Sequence, residues 1–193
     1  VKKSYIILIT ILLTACCSTA VKKIYYRLPL ETNAIVDKKK YHYNDKCAIW
    51  VQQILLPDHL AGNGLVYQTN DVEYIITNNN LWANPIVQQL KETMIYNLNK
   101  NLPGWFISDI PMLKNKTTNK LNVILHKFQG RYDGKAIISG EWILEYKKYF
   151  IMHHFSFIVP QKKDGYDGLI STLSLGWHKV CNQISEEILK LKL

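Results

Sequence analysis

Leu121 to Val159 reads LNVILHKFQGRYDGKAIISGEWILEYKKYFIMHHFSFIV. Its apolar and β-branched residues form three runs, separated by Asp133-Gly134 and by Lys147-Lys148. Asp-Gly suits a tight hairpin turn because both residues tolerate positive φ at low cost. On the middle run Ala136, Ile138, Trp142, Leu144 and Tyr146 share one face, with Gly140 between them. Ile137, Ser139, Glu141, Ile143 and Glu145 share the other, more polar face, the period-two pattern of a strand with one buried side. The stretch predicts a three-stranded antiparallel meander, closed by Pro160.

On its C-terminal side, Tyr166 to Leu193 carries Leu169, Ile170, Leu173, Trp177, Val180, Cys181, Ile184, Ile188 and Leu191. That three–four spacing predicts a long amphipathic helix. On the N-terminal side, Ile86, Leu90, Met94, Leu98 and Leu102 recur every four residues. This predicts a second helix, capped by Asn84 with Pro85 at its first position and stopped by Pro103-Gly104. Further out, Leu65–Thr69 and Val72–Thr77 flank Asn70-Asp71 as a hairpin, and Asn78-Asn79-Asn80 is read as the end of that unit. Ala48–Leu56, Ile24–Leu28 and Trp105–Ile110 have strand character. Residues 31–45 and 114–120 are read as polar loops. The fold class expected is α+β: a mostly antiparallel β-sheet with two amphipathic helices packed on one face.

The first sixteen residues, VKKSYIILITILLTAC, have another logic. Val1 is read as an alternative start codon, Lys2 and Lys3 as a positive n-region, and Tyr5 to Leu13 as an apolar h-region. That run is too short for a bilayer, which takes about 20 apolar residues, but fits an export signal. Leu13-Thr14-Ala15-Cys16 has the form of a lipobox. A Cys thiol can form a thioether to diacylglycerol, and small residues before it let the peptide enter a signal peptidase in extended form. An ordinary secretory signal and an uncleaved anchor are the alternatives; charge, length and Cys position together favour the lipobox. The expected organisation is a lipoprotein signal peptide at 1–15, a lipidated N-terminus and tether at 16–23, and a single domain at 24–193. Cys17 and Ser18 follow Cys16, with no Asp in the position that retains enteric-type lipoproteins in the inner membrane. The expected location is therefore the outer membrane, lipid-anchored and facing the periplasm.

The 193 residues are 48% hydrophobic and 20% charged, a globular rather than a disordered composition. Formal net charge is +9. Without residues 1–15 there remain 22 basic and 15 acidic side chains, a net of +7. The basic residues are nearly all Lys, with Arg27 and Arg131 the only arginines. A nucleic-acid reader would use Arg for bidentate contacts, so this balance speaks against one; it suits solubility or nearness to anionic lipid.

No catalytic, cofactor or metal constellation is expected. Ala61-Gly62-Asn63-Gly64 lacks the Lys-Ser/Thr of a phosphate loop and reads as a turn. His153 and His154 are neighbours in a strand, so they point to opposite faces. His42, His59, His126 and His178 stand alone. Cys47 and Cys181 allow a disulfide or two buried thiols, and the place of Cys181 on an apolar helix face favours thiols. Trp50, Trp82, Trp105, Trp142 and Trp177 are read mainly as core.

Four strings carry a family resemblance: DHLAGNGLVYQTNDVEYIITNNNLWANPIVQQL from Asp58, NLPGW from Asn101, FQGRYDGKAIISGEWIL from Phe128 and DGYDGL from Asp164. In this order the chain resembles the ABC-type transport auxiliary lipoproteins, in particular the membrane-integrity lipoproteins of paraquat-inducible operons. The resemblance implies an outer-membrane lipoprotein subunit of an intermembrane phospholipid transport system. Two partners are implied, a periplasm-spanning MCE-domain tunnel protein and a multispanning inner-membrane protein, with a ring-like homo-oligomer. It implies no catalytic residue; Cys16, as the lipidation site, is the one functional residue that carries over. The rival of another class is a monomeric periplasmic lipid carrier, which needs an acyl-sized apolar cavity where a docking piece needs a solid core. A periplasmic hydrolase lacks its signature, and a purely structural envelope lipoprotein is the remaining reading.

Overall fold

The computed structural model describes residues 21–30, 47–111, 119–147 and 149–191. The signal, Cys16, Cys17, the first part of the tether, the polar loop at 31–45 and the loop at 114–118 lie outside the described residues.

Eight strands form one sheet: β1 (Ile24–Tyr26), β2 (Ala48–Leu55), β3 (Gly64–Gln68), β4 (Tyr74–Trp82), β5 (Phe106–Ser108), β6 (Asn119–Arg131), β7 (Lys135–Tyr146) and β8 (Tyr149–Pro160). A single turn α1 (Asp58–Ala61) precedes β3; α2 (Ile86–Asn101) and α3 (Gly165–Lys190) are the two long helices. The expected meander is β6–β7–β8, paired antiparallel along nearly its full length. Gly134 (φ +71°) supplies the left-handed residue of the first turn.

The sheet is α+β but mixed. On its other side β6 is flanked by two branches, β2–β5 along its first half and β3–β4–β1 at its end. The β1/β4, β2/β5, β2/β6 and β3/β6 pairings are parallel. The long β6/β7 and β7/β8 ladders keep the sheet mostly antiparallel by extent. Parallel neighbours arise because β2 pairs with a strand far along the chain, after a crossover that includes α2.

Two local expectations are corrected. Asn78–Asn80 does not end the hairpin: β4 continues to Trp82, and its register jumps from Val66↔Ile76 to Gly64↔Leu81. The Asn run is thus an irregularity inside a strand, held by Thr77, which accepts from Leu65 N at 3.0 Å and donates to Asn80 O. At α2 the cap position falls on Pro85 rather than Asn84, with no side-chain cap. Asn84 instead offers its carbonyl to Gln89 Nε2 at 2.8 Å.

The core lies between the sheet and both helices. Ile86, Leu90, Met94 and Leu98 of α2 and Leu173, Trp177, Val180, Ile184 and Ile188 of α3 are buried against Leu121, Val123, Leu125, Ile138, Trp142 and Leu144. Trp177 Nε1 donates to Leu90 O at 3.1 Å, tying α3 to α2. Gln89 accepts from Leu28 N at 2.8 Å and pins the residues after β1 to α2. Among the described residues no helix is long and apolar enough to cross a membrane.

Candidate functional site

The registers give the molecule two distinguishable ends. β1 is parallel to β4, β4 antiparallel to β3, and β3 parallel to the last residues of β6. β1 therefore runs against β6, and Val21 to Ile24 enters from the end where β6 turns into β7. Tyr26 lies there, its ring 6.0 Å from that of Tyr166 in the first turn of α3. This end is the tether pole. The other, distal pole holds the β7–β8 turn and the end of α3, where Glu187 Oε2 lies 3.9 Å from His153 Nε2. At about 3.3 Å per residue, β6 alone separates the poles by roughly 40 Å.

The distal pole is apolar at its surface. Tyr149 and Phe150 are 72% and 74% exposed, and Met152, Ile110 and Leu189 are exposed too. Lys147 makes the turn with φ 57° and lays its ammonium over the Tyr146 ring at 4.8 Å. Phe150 and Met152 sit on the face of β8 turned away from the helices, in register with Glu145 and Ile143; Ile158 shares that face but lies at the tether end, opposite Ile137. Among the described residues β8 is also the long open edge of the sheet, whereas β1 and β5, the other edges, have three residues each. Clustered exposed apolar residues beside an unpaired ladder mark a surface that binds protein.

The tether pole combines charged and polar groups with exposed Val21, Val72 and Tyr132. Tyr132 donates to Asp71 at 2.8 Å, linking the β3–β4 and β6–β7 turns. Asp133 bridges Arg131 at 3.3 Å and Lys135 at 3.0 Å, and the Lys135 hydrogen bond holds its carboxyl below the usual range. Between the β6–β7 turn and the first turn of α3 lies a cleft of about 310 Å³. Its lining includes Tyr67, which packs against Gly130, where a Cβ would stand 2.8 Å from the ring.

The histidines separate as expected. His153 stacks on Trp142 (4.8 Å, 13°) on the helix side, and His154 Nδ1 meets Glu141 at 3.2 Å on the other face. The Lys190 hydrogen bond holds the Glu187 carboxyl below its ordinary value. Among the described residues no three His, Cys, Asp or Glu side chains are grouped to hold a metal ion.

Cys47 and Cys181 are buried free thiols. Burial pushes the Cys181 thiol up to about 12, against a smaller opposing effect from the neighbouring Asn97 amide. An unfolded chain loses this proton near 9.0, so above that pH the unfolded state binds fewer protons and stability falls as pH rises toward 12. By about one pH unit past the unfolded value the loss is on the order of 1 kcal/mol. Urea midpoints measured at about pH 8 and about pH 10 should therefore fall further for the wild type than for Cys181→Ala. Equal falls would show that Cys181 already ionises in the folded state.

The family follows from residues 26–185, which match the model of the ABC-type transport auxiliary lipoprotein component. The chain belongs to this family of transport auxiliary lipoproteins. It is 40% identical over 190 residues to the intermembrane transport lipoprotein PqiC of Escherichia coli (strain K12), covering 98% of this chain and 99% of that one. Identity and coverage are the same for PqiC of Shigella flexneri. The crystal structure of an uncharacterized protein with 42% identity superposes with a TM-score of 0.76, over 86% of this chain and 99% of its own. A Xanthomonas campestris protein has the same fold at 11% identity, with a TM-score of 0.63 over 83% of this chain and 92% of its own. The matched family is described as a transport auxiliary lipoprotein component, which is not a known enzyme class. Sequence reading alone did not find the exposed tip of β8; its trace was Tyr149-Phe150 directly after a Lys-Lys turn.

Proposed function

We propose that the chain is an outer-membrane lipoprotein, lipidated at Cys16, that docks the periplasm-spanning MCE-domain protein of an intermembrane phospholipid transport system. Residues 1–15 are its signal peptide, 16–23 its tether and 24–193 its docking domain. The observation that carries this reading is the placement of the β1 start and of the exposed Tyr149–Phe150 tip at opposite poles. A tether entering one pole leaves the other facing the periplasm, from which a tunnel rising off the inner membrane would arrive. An inner-membrane protein completes the system at the far end of that tunnel. The domain does no chemistry; it supplies an anchor and a contact.

The carrier reading needs an apolar cavity in the core. Between sheet and helices, however, Leu90, Met94, Leu98, Leu121, Ile138 and Trp142 are packed to complete burial. The 310 Å³ cleft lies outside that interface, at the tether pole. The open edge of β8 leaves a strand for a neighbouring copy, and a ring-like homo-oligomer would use it.

The test is capture of the MCE protein from envelope extract by wild type and by the double variant Tyr149→Ser, Phe150→Ser. Both side chains are largely exposed, so the fold should survive, which circular dichroism would check. The variant should recover about tenfold less partner, the loss expected of two aromatic anchors at an interface centre. Undiminished capture by a folded variant would remove the distal pole from the contact; no capture by wild type would overturn the docking role.

A further inference from the structure

The cleft at the tether pole is built from two kinds of group. Tyr67, Tyr166 and Leu169 give it aromatic and apolar walls, and the exposed Asp164 carboxylate stands at its mouth with no ion-pair partner among the described residues. Gly134 and Gly165 line it with bare backbone, and a Cβ at either would point into open space. The loop is held in shape by Gln161, which donates to Lys163 O at 2.8 Å and Gly165 O at 3.0 Å. A carboxylate beside tyrosine rings is the chemistry that holds an ammonium.

The rim has the opposite character. Lys162 and Lys163, between the lining residues Gln161 and Asp164, are exposed and without ion-pair partners among the described residues. The first-turn N–H groups of α3 receive no side-chain cap. Together these donors suit a phosphate a few ångströms from the ammonium site.

We infer that this cleft binds the headgroup of a zwitterionic phospholipid carrying a primary ammonium, with the ammonium against Asp164 and the tyrosine rings and the phosphate at the lysine rim. That the headgroup comes from a membrane rests on the anchor reading above, since lipidation at Cys16 would hold this pole against a bilayer. The cleft then orients the tethered domain on the lipid surface, and the distal pole points away from it. The geometry asks for both charges of the headgroup, which separates it from a general attraction of lysines to anionic lipid.

The test uses the full mature chain and reads the amide resonances of Gly134 and Gly165. Glycerophosphoethanolamine should shift them, glycerophosphoglycerol should not, and Asp164→Asn should weaken the response about fivefold, the size of an exposed charge–aromatic contact. Lys162→Gln with Lys163→Gln should weaken it independently. In nanodiscs the same shifts should appear with phosphatidylethanolamine and be absent with phosphatidylglycerol alone. Equal response to both soluble headgroups, or none to either, would overturn the inference, as would tighter binding of a lysine-containing peptide, which would make this a protein contact. A chain that responds to the soluble headgroup but carries no acyl group would refute the anchor and leave the cleft standing.

Discussion

Cys16→Ala is expected to abolish recovery of the protein in the outer-membrane fraction and to remove all acyl mass from its N-terminus. The thiol is the nucleophile for the thioether, and an alanine has nothing to replace it. Each buried methylene contributes about 0.8 kcal/mol, so one chain holds marginally while two or three hold stably. The +7 charge after residue 15 cannot stand in for them, because attraction between surface lysines and anionic lipid is screened within about 10 Å at ordinary salt. The folded domain should be unaffected, since the core residues among those described all follow position 26. Mass spectrometry of the wild-type N-terminus gives the decisive reading. An unmodified amino end there, or outer-membrane recovery of Cys16→Ala equal to wild type, would leave an ordinary secretory signal as the better account.

What the amino-acid sequence discloses depends on how far apart the interacting residues are. The β6–β7–β8 meander is legible because each turn is local and Asp133-Gly134 marks one of them. α3 is legible because nine apolar residues at helical spacing leave little choice. The pairing of β2 with β6 has no local mark, for Val51 meets Leu121 across α1, α2 and three strands. That is why a parallel branch was not foreseen. The asparagine run misleads for a related reason: Asn78–Asn80 has the composition of a turn, but β1 arrives from 56 residues earlier to pair at Asn80 through Trp82. Of the functional features, Cys16 is written in a contiguous motif. The two poles are not, because the direction of β1 is fixed only by its register with β4, and the exposure of Phe150 only by β8 being an edge.

The largest effect on stability is expected at Trp177. This residue is 1% exposed at the centre of α3, where its ring meets Phe128 edge-on (6.3 Å, 84°) and its N–H reaches Leu90 O across the helix pair. It thus touches sheet, α2 and α3 together, and removing it opens a cavity that none of the three can close alone. Trp177→Ala should cost about 3–5 kcal/mol, a large part of the roughly 5–15 kcal/mol that holds such a domain folded. The melting temperature should fall by roughly 6–20 °C, and the urea midpoint should fall with its slope unchanged. Trp177→Phe divides the effect into its parts. It keeps most of the buried ring but loses the N–H, whose acceptor is a carbonyl in the middle of α2 with its helical partner still in place. No buried group is left wholly unpaired, so the phenylalanine variant should lose about 1–2 kcal/mol. If both variants lost the same, the hydrogen bond between the helices rather than the filled volume would be what Trp177 contributes, and the account in which closely packed side chains between sheet and helices favour docking over lipid carriage would have to be given up.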